Sequence, residues 1–297
     1  MADAAAPLTP SPHEPSTRTR TPARTRRLDV IALISIPVLA ALVVWLNSTL
    51  HVMEQAQFFI GNQPGNVLYA ATFEQFTEDW QQYGGRLSAQ VADGALTLTV
   101  DQHDSGAFSA AQPGFHDYDL RVVARAVAAS PDNPLDNAFG VVFGLQAGDP
   151  DQLADDRYHL FQISSDGYYR LARVQGGVFT EVSTWIDSPI VRTGLDVENT
   201  LRVAVMGDRL RLWVNDQPAP LCIPNNPDAQ STYLMDACID GQMVEVLENA
   251  SVGSGQIALS ASSTATGGAG VQVRFDDLVI LGVEESVLAV PATPALP

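Results

Sequence analysis

Four residues in one short region combine aromatic rings with a hydrogen-bonding cation: Tyr158, Tyr168, Arg170 and Trp185. Aromatic faces beside polar groups suit sugar rings, whose axial C–H surface stacks on the aromatic face while hydroxyl groups bond to nearby donors and acceptors. Trp80 could extend such a platform. The alternative is that the tryptophans pack in a core, which is common for large aromatic side chains. These four residues are the predicted ligand-binding set.

Two oxygen-rich segments could bind a hard cation. The segment SPDNPLDN contains Asp132 and Asp136, and GDPDQLADD contains Asp149 and Asp151. Carboxylate and amide oxygens are the ligands that calcium prefers, so a calcium site at these four aspartates is one interpretation. Neither segment matches an EF-hand loop, and Asp and Asn are also common turn residues. A turn is therefore the other interpretation, and no further cofactor is predicted.

Catalytic signatures are weak in this sequence, and no catalytic residue is predicted. Glycanases that use two carboxylates need a closely spaced pair, and the candidate pairs are Glu245 with Glu248 and Asp276 with Asp277. Exposed glutamates are ordinarily surface residues, and the aspartate pair fits the end of a strand. No G-x-S-x-G segment occurs, and the five histidines lack zinc-site spacing. Whether the protein is an enzyme stays open.

Cys222 and Cys238 are the only cysteines of the chain. An even pair on the exported side of a membrane predicts a disulfide, because oxidising compartments favour that bond. A metal or redox pair is the alternative, but the spacing is not C-x-x-C and no histidine is near. The enclosed segment is polar and turn-rich, so we expect the bond to hold an inserted loop in place.

The segment YHLFQISSDGYYRLARV, Tyr158 to Val174, predicts a β-hairpin. Asp166-Gly167 supplies the positive backbone angles of a tight turn. Side chains alternate along an extended chain, so Phe161 and Ile163 point to one face. Tyr169 and Leu171 are expected to join them in a core, while Tyr158, Tyr168 and Arg170 face outward.

Many further segments show strand patterns separated by turn signals, without long helical periodicity between them. This organisation predicts an all-β fold, an antiparallel two-sheet jelly-roll sandwich preceded by one transmembrane helix. The candidate strands are Val67–Phe73, Arg86–Val91, Ala95–Val100, Ala107–Ala110, Tyr118–Ala128, Ala138–Leu145, Tyr158–Ser164, Tyr168–Val174, Phe179–Val182, Thr200–Met206, Leu210–Val214, Gln256–Ala261 and Gly270–Leu281.

An unbroken apolar run, VIALISIPVLAALVVWL, follows five arginines near the N-terminus. Its 17 residues rise about 26 Å as a helix, and continuation to Leu50 approaches the roughly 30 Å of a bilayer core. We expect Val30–Leu50 to contact the lipid bilayer as a single-pass anchor in the cell membrane. The basic flank predicts a cytoplasmic N-terminus and an exported C-terminal region. A cleaved secretory signal is the alternative, although no small-x-small site follows closely.

Charge is divided unevenly across the predicted anchor. Beyond Leu50 there are 11 arginines and 31 acidic residues, a net charge of −20 within a chain whose total is −18. An exported face this acidic argues against nucleic acid or anionic lipid headgroups as partners. Solubility alone would explain the charge, and cation binding or adaptation to acid are further alternatives.

A series of segments in a fixed order resembles the concanavalin A-like jelly-roll superfamily: FEQFTEDW, DGALTLTV, AFGVVFGL, RYHLFQISSDGYYRLARV, NTLRVAVMGDRLRLWVND, GQIALSAS and VQVRFDDLVIL. Laminin-G-like modules and domains of the family-16 and 3-keto-disaccharide-hydrolase types are the most similar. The resemblance covers about residues 66–283. It implies a fold that hosts lectins, hydrolases and adhesive modules alike, and therefore no single activity.

The predicted organisation has five parts: a disordered basic cytoplasmic tail (1–27), a transmembrane anchor (28–50), a stalk (51–65), an exported β-sandwich domain (66–283) and a flexible tail (284–297). The expected function is membrane-anchored recognition of a carbohydrate or another cell-surface component, without catalysis. A glycan or an exported protein is the expected partner. An exported glycan-active hydrolase and a structural subunit of a membrane complex are the alternatives.

Overall fold

The computed structural model describes residues 59–74, 78–129, 137–146, 156–263 and 270–290. All of them fall in the unit Gln57–Pro297, one of the two into which the chain divides. The strands, in chain order, are β1 (Phe59–Ile60), β2 (Val67–Ala71), β3 (Leu87–Ala92), β4 (Ala95–Val100), β5 (Ser105–Phe115), β6 (Tyr118–Ala128), β7 (Asn137–Gln146), β8 (Arg157–Ile163), β9 (Tyr168–Gln175), β10 (Val178–Asp187), β11 (Asn199–Met206), β12 (Arg209–Val214), β13 (Gln217–Pro218), β14 (Leu221–Pro224), β15 (Tyr233–Leu234), β16 (Ala237–Cys238), β17 (Gly241–Val244), β18 (Val246–Leu247), β19 (Gly255–Ser263) and β20 (Val271–Gly282), and one helix, α1, spans Glu285–Leu288.

Two large sheets form the domain. The seven-stranded sheet has the order β1-β5-β19-β7-β8-β9-β10, and the nine-stranded sheet has the order β13-β12-β11-β6-β20-β4-β3, with β18 on β12 and β2 on β20. Neighbouring strands within both sheets pair antiparallel, apart from the short parallel contact between β1 and β5. The predicted antiparallel two-sheet sandwich is confirmed, and each candidate strand overlaps an observed one.

The core lies between the inner faces of the two sheets, and strand alternation supplies it. In the β8–β9 hairpin, Phe161, Ile163, Tyr169 and Leu171 are all buried, as the sequence predicts. Facing residues of the nine-stranded sheet, such as Leu120, are equally buried and belong to the same core cluster. Each large apolar side chain buried in this way contributes about 1.5–3 kcal/mol to stability.

The ends of the domain differ from the predicted boundaries. Strand β1 lies in the segment predicted to be a stalk, where Phe59 aligns with Gly114 of β5. The predicted flexible tail begins with α1, whose Leu288 is buried beside Trp213. These contacts occur because both segments carry apolar residues that the sheets can cover.

No helix within the described residues is long and apolar enough to cross a membrane. The predicted anchor, Val30–Leu50, lies outside those residues, as does the predicted cytoplasmic tail. The anchor and the orientation it implies therefore remain predictions.

The predicted disulfide between Cys222 and Cys238 is confirmed, with the two Cα atoms 5.3 Å apart. The chain around the bond forms two small sheets: β15 pairs with β16 inside the closed loop, and β14 pairs with β17, which follows Cys238. Cys222 itself is buried, and its N–H donates a hydrogen bond to the Ser183 hydroxyl of β10. The bond therefore ties the inserted loop to the edge of the seven-stranded sheet.

Candidate functional site

A shallow depression crosses the outer face of the seven-stranded sheet. We name it the outer-face groove; its volume is about 390 Å³. Strands β5, β7, β8, β9, β10 and β19 all contribute residues to it. The lining includes Phe108, Val142, Tyr158, Arg170, Phe179 and Ser260. One continuous surface is therefore assembled from strands that are far apart in sequence.

The floor of the outer-face groove is low because small residues align across the sheet. Pairing places Ser260 of β19 between Phe108 of β5 and Gly140 of β7. Gly140 pairs in turn with Gln162 of β8. A Cβ at Gly140 would lie 2.0 Å from the carbonyl oxygen of Phe161, so only glycine fits there without moving the backbone.

Two aromatic side chains stand above this floor. Phe108 is 47% exposed and Phe179 is 48% exposed, and both line the groove. Large apolar side chains in a concave surface with few polar groups are typical of ligand sites. Val142, Leu145 and Leu160 complete an apolar strip between them.

Arg170 is the cation of the groove, and its guanidinium group is held on several sides. It lies 4.5 Å from the ring centroid of Trp185 and 5.1 Å from that of Phe179. Its Nη1 donates to Glu181 at 3.0 Å, and its Nε and Nη2 both donate to the Gln162 side-chain oxygen. These contacts fix the orientation of the guanidinium plane.

The polar contacts continue beyond Arg170 along the face. The Gln162 side-chain amide donates to the Ser262 hydroxyl, which donates to the carbonyl of Ala138. Burial lowers the pKa of Arg170, while the hydrogen bond and charge of Glu181 raise it and oppose that shift. Arg170 stays positively charged at neutral pH, because an arginine pKa starts far above that range.

The disulfide-closed loop extends the site past Phe179. A second cavity, of about 450 Å³, lies between β10 and the loop, where Phe179, Thr180 and Glu181 face residues 227–230. Ser231 holds the loop in place: its hydroxyl donates to the Cys222 carbonyl and accepts the N–H of Thr184. Because Phe179 lines both cavities, the groove and the loop form adjoining parts of one surface.

The structure brings together three of the four predicted ligand-binding residues. Tyr158 and Arg170 line the groove, and Trp185 packs on Arg170. Tyr168 lies farther along β9, opposite Asp187, and is outside the groove lining. Trp80 cannot extend the platform, because it is buried in the core against Phe73.

The predicted calcium ligands Asp132, Asp136, Asp149 and Asp151 lie outside the described residues. Within the described part of the chain, no group of three or more His, Cys, Asp or Glu side chains is placed to hold a metal ion. The calcium site therefore remains a prediction.

Carboxylates are placed away from the groove or at its border. Glu245 pairs with Arg211 at 2.6 Å on the nine-stranded sheet, and Asp276 lies on β20 of the same sheet. The described lining of the groove contains no carboxylate, and Glu181 in the adjoining cavity is the acid that pairs with its arginine.

Sequence reasoning missed Phe108, Phe179, Gln162 and Glu181 as groove residues. A local signal existed for Phe108, since it alternates with the small residues Ala107 and Ser109 and must point outward if they point inward. For Phe179 the missing information was the length of β10, which extends to Asp187.

Comparison with known proteins gives the family of the chain. Residues 71–281 match the family described as the 3-keto-alpha-glucoside-1,2-lyase-like domain. The protein belongs to this family, which confirms the sequence resemblance to domains of the 3-keto-disaccharide-hydrolase type. No curated protein matches the chain.

Solved structures with a similar fold are distant in sequence. A Bacillus subtilis protein described as having a galectin-like fold and an unknown function has 12% identity and a TM-score of 0.48, and the match covers 74% of this chain and 98% of that one. A carbohydrate-binding module from Bacillus subtilis has 9% identity and a TM-score of 0.42, with 75% and 99% covered. A Bacillus licheniformis β-glucanase has 9% identity and a TM-score of 0.45, with 74% and 99% covered.

Proposed function

We propose that the domain is a recognition module that binds a glycan along the outer-face groove, and that the predicted anchor holds it at the exported side of the membrane. The observation that carries this proposal is the pair of half-exposed rings, Phe108 and Phe179, standing over a low floor beside a fixed arginine. This combination supplies a stacking surface and oriented donors in one concave site.

Arg170 retains donors for a ligand. A guanidinium group has five N–H donors, and the described contacts use one each at Nε, Nη1 and Nη2. Two N–H groups therefore remain for sugar hydroxyl oxygens. Because Gln162 and Glu181 already fix the guanidinium plane, little rotamer freedom is lost when a ligand binds.

A glycan-active enzyme is the second candidate, because the family description names a lyase-like domain. Glu181 is the acid best placed to take part, since it lies beside Phe179 in the adjoining cavity and pairs with Arg170. Nη1 of Arg170 donates to this side chain and fixes its orientation, and a carboxylate is a group that can act as a general base.

The test is a glycan array and a polysaccharide pull-down with the full chain, run once with calcium and once with chelator. Saturable binding that falls about tenfold in Phe179→Ala, with the glycan recovered intact, supports recognition. Val67→Ala, an exposed residue of β2, is the matched control. Glycan turnover that Glu181→Gln abolishes would establish the enzyme instead, and no binding in either condition would overturn both.

A further inference from the structure

A third cavity lies at the end of the seven-stranded sheet, where β8 and β9 meet the loop before β19. We name it the arginine cavity; its volume is about 260 Å³. Its lining includes Gly144, Gln146, Arg157, His159, Arg173 and Val252. Arg157 and Arg173 lie on adjacent antiparallel strands, since Arg157 aligns with Gln175 and His159 aligns with Arg173.

Close packing fixes the wall of the arginine cavity. Gly144 has a positive φ of 62°, and a Cβ there would lie 2.6 Å from the carbonyl oxygen of Val252. The Gln146 side-chain amide donates to the Ser254 carbonyl at 2.7 Å. The loop therefore rests directly on the end of β7.

The arginines of this cavity differ from the others in the described residues. Nine of the eleven described arginines pair with a carboxylate or donate a hydrogen bond. Within the described part of the chain, Arg157 and Arg173 have neither a carboxylate partner nor a hydrogen-bond acceptor. The Nε of Arg173 is buried without an acceptor. In an acidic protein, two unpaired cations that line one cavity leave a site with a local attraction for anions.

His159 also lines this cavity, and it carries an unpaired acceptor atom. Its side chain stacks on Phe143, it is 4% exposed, and its Nδ1 has no hydrogen-bond partner within the described chain. Burial lowers the pKa of His159 to about 4, the charge of Arg173 adds to that shift, and a hydrogen bond to the Ala250 backbone opposes it. The imidazole is therefore neutral at neutral pH. With its other nitrogen donating to Ala250, Nδ1 is left as an acceptor.

We propose that the arginine cavity binds a hydroxylated carboxylic acid, with a hexuronate as the type of ligand that fits its chemistry. The two guanidinium groups take the carboxylate, which matches the fork geometry of arginine donors. A ligand hydroxyl then donates to Nδ1 of His159, which satisfies a buried polar atom that otherwise costs stability. This assignment is independent of glycan binding in the outer-face groove.

The test is calorimetric titration of the full chain with D-glucuronate, with its neutral methyl ester as the matched ligand. We expect saturable binding of glucuronate and at least tenfold weaker binding of the ester. Arg173→Gln and Arg157→Gln should each weaken glucuronate binding about tenfold or more, because each removes a charged hydrogen-bond donor. Arg121→Gln, at the exposed ion pair with Asp216, should leave it unchanged.

Four results would overturn the assignment. The first two are no saturable binding of glucuronate, and equal binding of the acid and the ester. The third is unchanged glucuronate affinity in Arg157→Gln. The fourth is a loss of glucuronate binding in Phe179→Ala, which would place the ligand in the outer-face groove. Arg157 is exposed, so its variant gives an answer even if Arg173→Gln fails to fold.

A second readout tests the histidine contact. In ¹⁵N spectra of labelled histidine, glucuronate should shift the Nδ1 signal of His159 toward that of a hydrogen-bonded acceptor. Assignment rests on loss of the signal in His159→Gln. An Nδ1 signal that does not move at saturating glucuronate would contradict the hydroxyl contact.

Discussion

The outer faces of the two sheets are built from similar residues and are covered in opposite ways. On the seven-stranded sheet, which we call the open face, Arg170 and its aromatic neighbours border a groove. On the nine-stranded sheet, the closed face, Trp213 lies between Arg202 and Arg211, with guanidinium carbons 4.6 and 5.0 Å from its ring centroid. Both faces therefore pair arginine with aromatic rings, but only the open face leaves rings accessible.

Local partners explain why the closed face is sealed. Arg202 pairs with Asp119 at 2.6 Å, and Arg211 pairs with Glu245 at the same distance. Helix α1 then covers Trp213, which is 6% exposed, and Arg211 donates to the backbone carbonyls of Val287 and Ala289. The ring of Trp213 is therefore not available as a stacking surface for a ligand.

The difference teaches that an arginine beside an aromatic ring does not by itself define a site. On the closed face, acids and a helix cover both partners. On the open face, small residues form a low floor in the groove. The disulfide-closed loop lies beside the groove and does not cover the arginine or its aromatic neighbours. The residues that cover an arginine and its neighbouring aromatic ring therefore decide whether a ligand can reach them.

Loss of the disulfide should affect the open face alone, and its expected effect on stability is one of the two largest. Replacing Cys222 and Cys238 by serine should lower the free energy of unfolding by about 3 kcal/mol, because the bond closes a loop between residues 16 apart. Hydrogen exchange should rise in β10 and in residues 227–230. Faster exchange confined to β11 and β12 would contradict the link between loop and open face.

Acid should destabilise the fold through His159, which lies under the end of the open sheet. Its pKa of about 4 in the folded state is below the ordinary 6.5, so the unfolded state binds the proton more tightly. The contribution of His159 to the free energy of unfolding is complete above pH 6.5. It is lost as the pH drops toward 4, by up to about 3 kcal/mol. Urea unfolding across this range checks the slope, which should flatten in His159→Gln. An equal slope in both proteins would contradict the shifted pKa.

Removing one arginine from each face compares the stability contribution of a half-buried ion pair with that of an exposed one. Arg170→Met leaves Glu181 without its partner at 20% side-chain exposure, and we expect a loss of about 2 kcal/mol. Arg121→Met breaks an exposed pair with Asp216 and should cost less than about 1 kcal/mol. Thermal unfolding of both variants measures the difference, and equal losses would remove the distinction between the faces.

Trp185 gives the smallest expected effect. Trp185→Ala removes one ring from the Arg170 guanidinium while leaving its hydrogen bonds to Gln162 and Glu181. A cation–π contact is worth about 0.5–1 kcal/mol at a partly exposed site, so glycan affinity should fall about two- to fivefold. Tyr168→Ala, which lies outside the groove lining, should change affinity less. A larger loss with Tyr168→Ala would move the site along β9.

The hairpin and the inner face of its strands could be predicted because they depend on local signals. Asp166-Gly167 marks the turn, and period-two alternation assigns Phe161 and Ile163 to the core. The disulfide was predicted from the number of cysteines and the predicted compartment. Arg170 was predicted as a site residue from its position on the outward side of the hairpin.

The rest of the groove depends on sheet order, which local patterns do not encode. Phe108 and Phe179 reach one surface because β19 and β7 insert between β5 and β8. The unpaired arginines of the arginine cavity were equally beyond prediction, since an arginine without a partner is recognised only when the neighbours of every arginine are known. For Trp80 the sequence left both a surface platform and a core position open, because alternation alone does not show that its indole N–H bonds to Tyr69 inside the fold.

The most direct test of the open face as the binding surface compares two double variants of the full chain on the same glycan array. Phe108→Ala with Phe179→Ala removes the exposed rings of the open face, and Arg121→Gln with Arg125→Gln alters two arginines on the outer side of the closed face. We predict that the first loses glycan binding and the second keeps wild-type affinity. Binding retained by the first variant, or lost only by the second, would contradict the assignment of the glycan to the outer-face groove.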